Sequence, residues 1–170
     1  MSAVRPFTLE IPQADIDDLH RRLDMARWPE KEPVGDWTQG TPLAMLRELV
    51  DYWRHEYDWR QCEARLNAFG QFMTEIDGLD IHFLHVRSSR ADAVPLIVTH
   101  GWPGSVIEFL EVVPLLTEPD EGMAFHVVAP SLPGYGFSGK PVQTGWGVEK
   151  IGAAWGTLMA RLGYDRWVAQ

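Results

Sequence analysis

The stretch Leu96-Ile97-Val98-Thr99-His100-Gly101-Trp102-Pro103-Gly104-Ser105 decides how the rest of the chain is read. Leu96 to Val98 form a continuous apolar run with no polar alternation, the pattern of a strand buried on both faces. Gly101 allows backbone angles closed to other residues. Pro103 fixes its own φ, has no N–H, and pushes Trp102 out of the helical region. Val106-Ile107-Glu108-Phe109-Leu110 then resumes as a helix. The expected product is a stiff turn at the carboxyl end of a strand, with the backbone N–H of Trp102 aimed at a fixed point. A donor held in place before charge develops is what an oxyanion hole requires. The alternative is an ordinary tight strand-to-helix connection, which α/β folds use often.

Outward from this turn the chain alternates. Phe125 to Ala129 is the next buried strand, Val148 to Leu162 a helix with Ile151, Ala154, Trp155, Leu158 and Met159 inward, and Trp167 to Ala169 the start of another strand. Strand, helix, strand, helix, strand implies a parallel sheet. Val106 to Leu116 is expected as one helix. Before the turn, Phe72 to Ile76 and Ile81 to Val86 read as two strands joined at Asp77-Gly78, a hairpin signal.

Residues 1–70 have a helical period instead. Ile16, Leu19, Leu23 and Ala26 form one stripe. Thr41-Pro42 reads as a cap followed by proline at the first helical position, with Leu43, Leu46, Leu49, Val50 and Trp53 on the apolar face behind it. Asp58 with Gln61 resembles a capping box for a third helix carrying Trp59, Cys62, Leu66 and Phe69. Four of the eight tryptophans (Trp28, Trp37, Trp53, Trp59) lie in this segment and are expected to pack, because large aromatics dominate burial.

The chain has 170 residues, is 45% hydrophobic and 23% charged, and carries a net charge of −9. That is globular composition. The acidic balance, without a Lys/Arg cluster, argues against nucleic acid and against an anionic membrane surface as partners. Cys62 is the single cysteine, so neither an internal disulfide nor a thiol zinc site is expected, and a reducing cytoplasm is the simplest setting. No apolar run reaches the ~18 residues of a membrane span, and Met1 to Phe7 is too short for a signal peptide.

Other chemistry-bearing residues have plainer explanations. His82 and His85 lie three apart on a strand and point to opposite faces, which disfavours a shared metal; His20, His55 and His126 lack ligand spacing. Gly134-Tyr135-Gly136 is a turn, without the third glycine of a dinucleotide fingerprint. GxSxG does not occur, and Ser105 reads as a helix N-cap rather than a nucleophile. Glu108 and Glu111 sit at helical spacing on a solvated face, with Glu108 near enough to the turn to border a pocket. Asp77 and Asp80 flank a hairpin.

His100-Gly101-Trp102-Pro103 resembles the HGxP motif of the α/β-hydrolase superfamily, in the HGWPGS form of epoxide hydrolases. Arg5-Pro6-Phe7, Ile11-Pro12 and Asp15 through Trp28-Pro29 resemble the N-terminal extension of microsomal-type epoxide hydrolases. Ser131-Leu132-Pro133-Gly134-Tyr135-Gly136-Phe137-Ser138, Gly145-Trp146-Gly147, and Trp155 through Tyr164 resemble later parts of the same family. The resemblance implies a helical meander over 1–70 packed on the first part of an α/β-hydrolase core over 71–170, stopping before the nucleophile elbow. It implies conversion of epoxides to vicinal diols through an Asp ester. Trp102 would supply one oxyanion-hole N–H, with His100, Gly101 and Pro103 shaping the turn and the Trp102 ring, with Glu108, facing substrate. A cis Trp102–Pro103 bond is expected. The nucleophile, base histidine, supporting acid and lid tyrosines would lie beyond Gln170, so the chain alone is expected to be inactive. The implied partners are a small epoxide and water, with no cofactor, metal, nucleic acid or membrane; a homodimer of the full-length protein stays open. Animal microsomal relatives carry an N-terminal membrane anchor, which this chain is expected to lack. The competing functions are another α/β-hydrolase (haloalkane dehalogenase or esterase) and a non-catalytic interaction module.

Overall fold

The computed structural model describes residues 3–170. Two compact units emerge. One is Glu10–Glu63; the other joins the N-terminal stretch up to Leu9 with Ala64–Gln170.

The larger unit holds a six-stranded mixed sheet, an α/β arrangement. Its strands are β1 (Arg5–Pro6), β2 (Gln71–Ile76), β3 (Leu79–Val86), β4 (Val94–Ile97), β5 (Phe125–Pro130) and β6 (Val168–Ala169), in the spatial order β1-β2-β3-β5-β4-β6. The predicted hairpin forms, with Ile76 opposite Leu79 and the turn at Asp77 (φ 51°) and Gly78 (φ 77°). Positive φ at both positions is what a type I′ turn demands, and glycine meets it without a Cβ clash. β3 pairs antiparallel with β5, while β5, β4 and β6 run parallel. β1 corrects the all-helical expectation for 1–70: Arg5 lies opposite Met73, and Phe7 N–H donates to the Gln71 carbonyl at 2.9 Å. Two residues are too few to show a period, and Pro6 is tolerated because this is an edge.

The helix of Val148–Arg161 (α5, numbered in chain order) covers one face of the sheet. Ala154, Trp155, Leu158 and Met159 pack on Ile76, Ile81, Phe83, Ile97 and Val128. The buried residues of α5 fall in two pairs four apart, on one face of the helix, and Ile151 is half-buried. The single helix expected over 106–116 is instead a 3₁₀ turn, Val106–Phe109, followed by α4, Val112–Thr117. Pro114 explains the break: it has no N–H to offer Leu110, and its ring crowds that carbonyl.

The smaller unit holds α1 (Gln13–Asp24), α2 (Leu43–His55) and the start of α3 (Trp59–Asn67). Arg54 forks onto Asp24 at 2.7 and 2.9 Å, and the Arg47 guanidinium lies 5.6 Å from the Trp28 ring. Polar ties are prominent because α1 has no fully buried residue; its stripe of Ile16, Leu19 and Leu23 is half-buried, and Ala26 lies past its end. Two tryptophans depart from the packing expectation: Trp37 is 58% exposed and Trp53 41%. Thr41 does not cap α2. The helix begins at Leu43, whose N–H is taken by the Glu32 carboxylate at 3.0 Å, eleven residues upstream. Asp58 accepts from Arg60 N–H at 2.9 Å, but Gln61 reaches only the Asp58 side chain, so the box is half made. Cys62 is half-buried and free.

Among the described residues no helix is long and apolar enough to cross a membrane, and no group of three or more His, Cys, Asp or Glu stands close enough to hold a metal ion.

Candidate active site

The turn after β4 is built on hydrogen bonds that carry the strand past its last paired residue. Val98 N–H donates to the Val128 carbonyl at 2.9 Å and Thr99 N–H to the Gln170 carbonyl at 2.8 Å, while Gln170 N–H returns to Ile97 at 3.0 Å. The Thr99 hydroxyl accepts from the Trp155 indole N–H at 3.1 Å, which ties the strand end to α5. The root of the turn is therefore braced from two sides before any candidate site residue is reached.

His100 is buried, only 3% exposed. Its Nδ1 lies 3.3 Å from the Gly101 carbonyl and its Nε2 3.1 Å from Leu132 N–H. A carbonyl can only accept and an N–H can only donate, so the ring is neutral, protonated at Nδ1 and accepting at Nε2. His100 thus joins its own turn to the Ser131–Ser138 loop, and the Tyr135 ring packs edge-on against it at 5.6 Å. The Trp102–Pro103 bond is cis, as expected. Gly104 N–H closes the turn onto the Gly101 carbonyl at 2.8 Å. The backbone N–H groups of His100, Gly101 and Trp102 meet no acceptor among the described residues. The Trp102 side chain is 82% exposed.

Ser105 is the N-cap of the 3₁₀ turn, as its position suggested. Its hydroxyl accepts from Ile107 N–H at 3.4 Å, and the Glu108 carboxylate turns back to accept from Ser105 N–H at 3.2 Å, a reciprocal capping box. Glu108 also explains Gly104. A Cβ on Gly104 would fall 1.3 Å from the Glu108 carboxylate oxygen.

The structure thus brings His100, Gly101, Trp102, Pro103 and Glu108 onto one short turn, with Gln170 paired beside its root. The other histidines lie elsewhere. His82 is buried within the sheet against Ser131 and Gln71, and His85 contacts the Tyr164 hydroxyl at 2.9 Å on the opposite face. Burial pushes both rings down to about 4; for His85 the nearby Arg87 and His126 add to it. The His82 contact with Ser131 had no sequence signal, because the two are 49 residues apart, and Gln71, across the predicted hairpin, carried no mark of its role.

Compared with known proteins, the chain matches the model for the epoxide hydrolase N terminus over residues 4–109. This chain belongs to that epoxide hydrolase family. The model of the alpha/beta hydrolase fold matches residues 94–170, so the two overlap across the HGWP turn. A putative epoxide hydrolase of Stigmatella aurantiaca is 56% identical over 98% of this chain, and epoxide hydrolase 1 of Oryctolagus cuniculus is 37% identical over 99%. The chain spans 39% of the length of each of these relatives. Two solved epoxide hydrolases share the fold. The juvenile hormone epoxide hydrolase of Bombyx mori has a TM-score of 0.91 at 34% identity, covering 100% of this chain and 42% of its own. The Aspergillus niger enzyme has a TM-score of 0.88 at 38% identity, covering 99% and 46%. The chain is therefore an N-terminal portion of the epoxide hydrolase architecture, with the HGWP turn inside it.

Proposed function

We propose that this chain supplies the front part of an enzyme that opens epoxides to vicinal diols with water, and that its contribution to the chemistry is the Trp102 N–H. In this reading a carboxylate nucleophile carried by the remainder of the enzyme attacks an epoxide carbon, and the C–O bond breaks as two tyrosine hydroxyls hydrogen-bond the ring oxygen, one of them giving it a proton. The resulting ester is then attacked by water, deprotonated by a histidine that an acid orients. The tetrahedral oxyanion is held by the Trp102 N–H and by a second N–H next to the nucleophile, a donor class typically worth about 3–4 kcal/mol each. Residues 1–70 serve as the helical extension and 71–170 as the first part of the hydrolase core.

The observation that carries this is the unpaired Trp102 N–H on a turn braced by His100, Leu132 and Thr99. The pairing of Thr99 with Gln170 gives it a direction: a nucleophile borne just past position 170 would rise beside that N–H. His100, Gly101 and Pro103 shape the turn, and the exposed Trp102 ring offers an apolar wall to substrate. Glu108 borders it through its cap on Ser105. An epoxide hydrolase is preferred to a dehalogenase, an esterase or an interaction module because the match to the epoxide hydrolase N terminus runs over residues 4–109.

The test is a chimaera in which residues 1–170 replace the matching part of the Stigmatella aurantiaca relative. It is expected to form diol from styrene oxide and, in a single turnover in ¹⁸O-water, to place unlabelled oxygen in the diol, as an enzyme-ester route requires. The 170-residue chain alone is expected to form none. A folded chimaera without turnover, or label entering the diol in the first turnover, would refute the reading.

A further inference from the structure

Ser131 and Leu132 are adjacent residues gripped by two histidines. Leu132 N–H donates to His100 Nε2 at 3.1 Å, and the Ser131 hydroxyl lies 2.9 Å from His82 Nδ1. The His82 side is ordered by a chain of contacts that begins at backbone. Leu9 N–H donates to Asn67 Oδ1 at 2.9 Å, and Asn67 Nδ2 donates to the Leu9 carbonyl at 2.8 Å. Asn67 Oδ1 also accepts from Gln71 Nε2 at 2.8 Å, so Gln71 presents its oxygen to His82 Nε2 at 3.0 Å. That oxygen can only accept. His82 is therefore protonated at Nε2, and its Nδ1 accepts from the Ser131 O–H. The two histidines hold opposite neutral tautomers on either side of one peptide unit.

The grip is tight. Ser131 N–H donates to the His82 carbonyl at 2.9 Å; Ser138 Oγ donates to the Ser131 carbonyl at 2.7 Å and accepts from His82 N–H at 3.0 Å. Gly136, at φ 51°, passes so close that a Cβ there would come within 2.9 Å of Ser131 Oγ. His82 itself is fully buried beside the rings of Phe7 and Phe137, at 5.0 and 5.2 Å, which also meet each other at 5.6 Å. An aromatic hydrocarbon would suit that slot for packing. What the imidazole adds is its two nitrogens, and both are used on Gln71 and Ser131. Among the described residues no charged group faces it: its polar and aromatic contacts are Phe7, Gln71, Ser131, Phe137 and Ser138, and burial is the cause of its lowered pKa.

We propose that His82 is a positioning residue for the HGWP turn: with Gln71 it orients Ser131, Ser131 sets the Leu132 amide, and the Leu132 amide fixes His100 and the turn it belongs to. Its meaning for catalysis rests on the oxyanion role of Trp102; the mechanical coupling does not.

The test uses ¹⁵N-histidine-labelled protein and two variants, His82→Phe and Ser131→Ala. Ring nitrogen spectra are expected to show Nε2–H for His82 and Nδ1–H for His100. In both variants His100 is expected to lose its single tautomer, and amide exchange at Leu132 to rise at least about tenfold relative to Val127 in β5. A uniform loss of stability would move both amides together and leave the His100 tautomer unchanged. Should His82→Phe fail to fold, Ser131→Ala decides alone, since it removes one hydroxyl. An Nδ1–H tautomer at His82, or an unchanged His100 and an unchanged Leu132-to-Val127 ratio, overturns the proposal. In the chimaera, the same spectral response with no change in kcat would refute the oxyanion reading and leave the coupling standing.

Discussion

Trp102 presents two separable features, an exposed ring and a backbone N–H with no acceptor among the described residues, and chemistry can remove either. Trp102→Ala keeps the N–H. In the chimaera it is expected to raise KM for an aryl epoxide while kcat stays within a few-fold. Replacing the Trp102 amide by an ester through semisynthesis removes the donor and keeps the ring; kcat is then expected to fall by about 10²–10³ with KM little changed. Steady-state rates on the two proteins check both. His100→Phe leaves Leu132 N–H with no acceptor in a partly buried place, an expected loss of about 1–3 kcal/mol in urea unfolding. At this scale much was legible. Pro103, Gly101 and Ser105 have backbone demands that act within a few residues, so the turn and its N-cap could be read directly, while the cis bond was expected from the resemblance to the family's turn. The partners of His100 and His82 could not, because Leu132, Gln71 and Ser131 reach them only once the sheet has formed.

Elements were legible where period and punctuation agreed. α5 and the β2–β3 hairpin emerge as expected, α5 because it buries one face and the hairpin because two apolar runs flank an Asp77-Gly78 turn, with β3 buried on both faces from Ile81 to Leu84. Leu158→Ala in α5 removes a fully buried side chain from the core against Phe83 and Ile81. It is expected to cost about 2–5 kcal/mol, read as a lower urea midpoint with an unchanged slope. Elements were misread where a distant residue or a single proline overrules the pattern. Glu32 replaces Thr41 at the start of α2 because a carboxylate from the preceding loop reaches the Leu43 N–H. Pro114 splits what apolar spacing alone makes one helix. β1 is set by the edge of β2 it pairs with, not by anything in its own two residues.

Over the whole molecule, the two ends of the sheet differ. β1 ends it with a proline, which offers one donor fewer to a stranger. β6 ends it with Val168 at 49% exposure beside a half-open Trp167. An uncovered apolar edge invites pairing between copies, so the 170-residue chain is expected to self-associate with concentration in sedimentation velocity, and Val168→Lys to suppress it. The buried histidines give a second molecular property. The His82 pKa lies near 4 in the folded protein against about 6.5 unfolded. A depressed folded pKa means that the unfolded chain takes up the proton first, so stability is full above about pH 6.5 and declines toward pH 4. For His82 the limit is about 3 kcal/mol, and His85 acts in the same direction. Thermal unfolding between pH 7 and 4 should show this fall, and Ser131→Ala should not abolish it, since burial is its source.

The carboxylate of Glu108 fills the space in which a side chain at position 104 would begin, and this makes the two positions conditional on each other. Gly104 has no positive φ to preserve, so its only barrier to alanine is that neighbour. Gly104→Ala is expected to push that carboxylate, the far end of a flexible side chain, off Ser105 at the cost of the cap, and to be close to neutral after Glu108→Ala, which has already given up the cap. Whichever substitution comes first removes the cap, and the second then adds little. A four-member mutant cycle followed by thermal unfolding should show this dependence as a coupling about equal to the worth of the cap, ~1 kcal/mol.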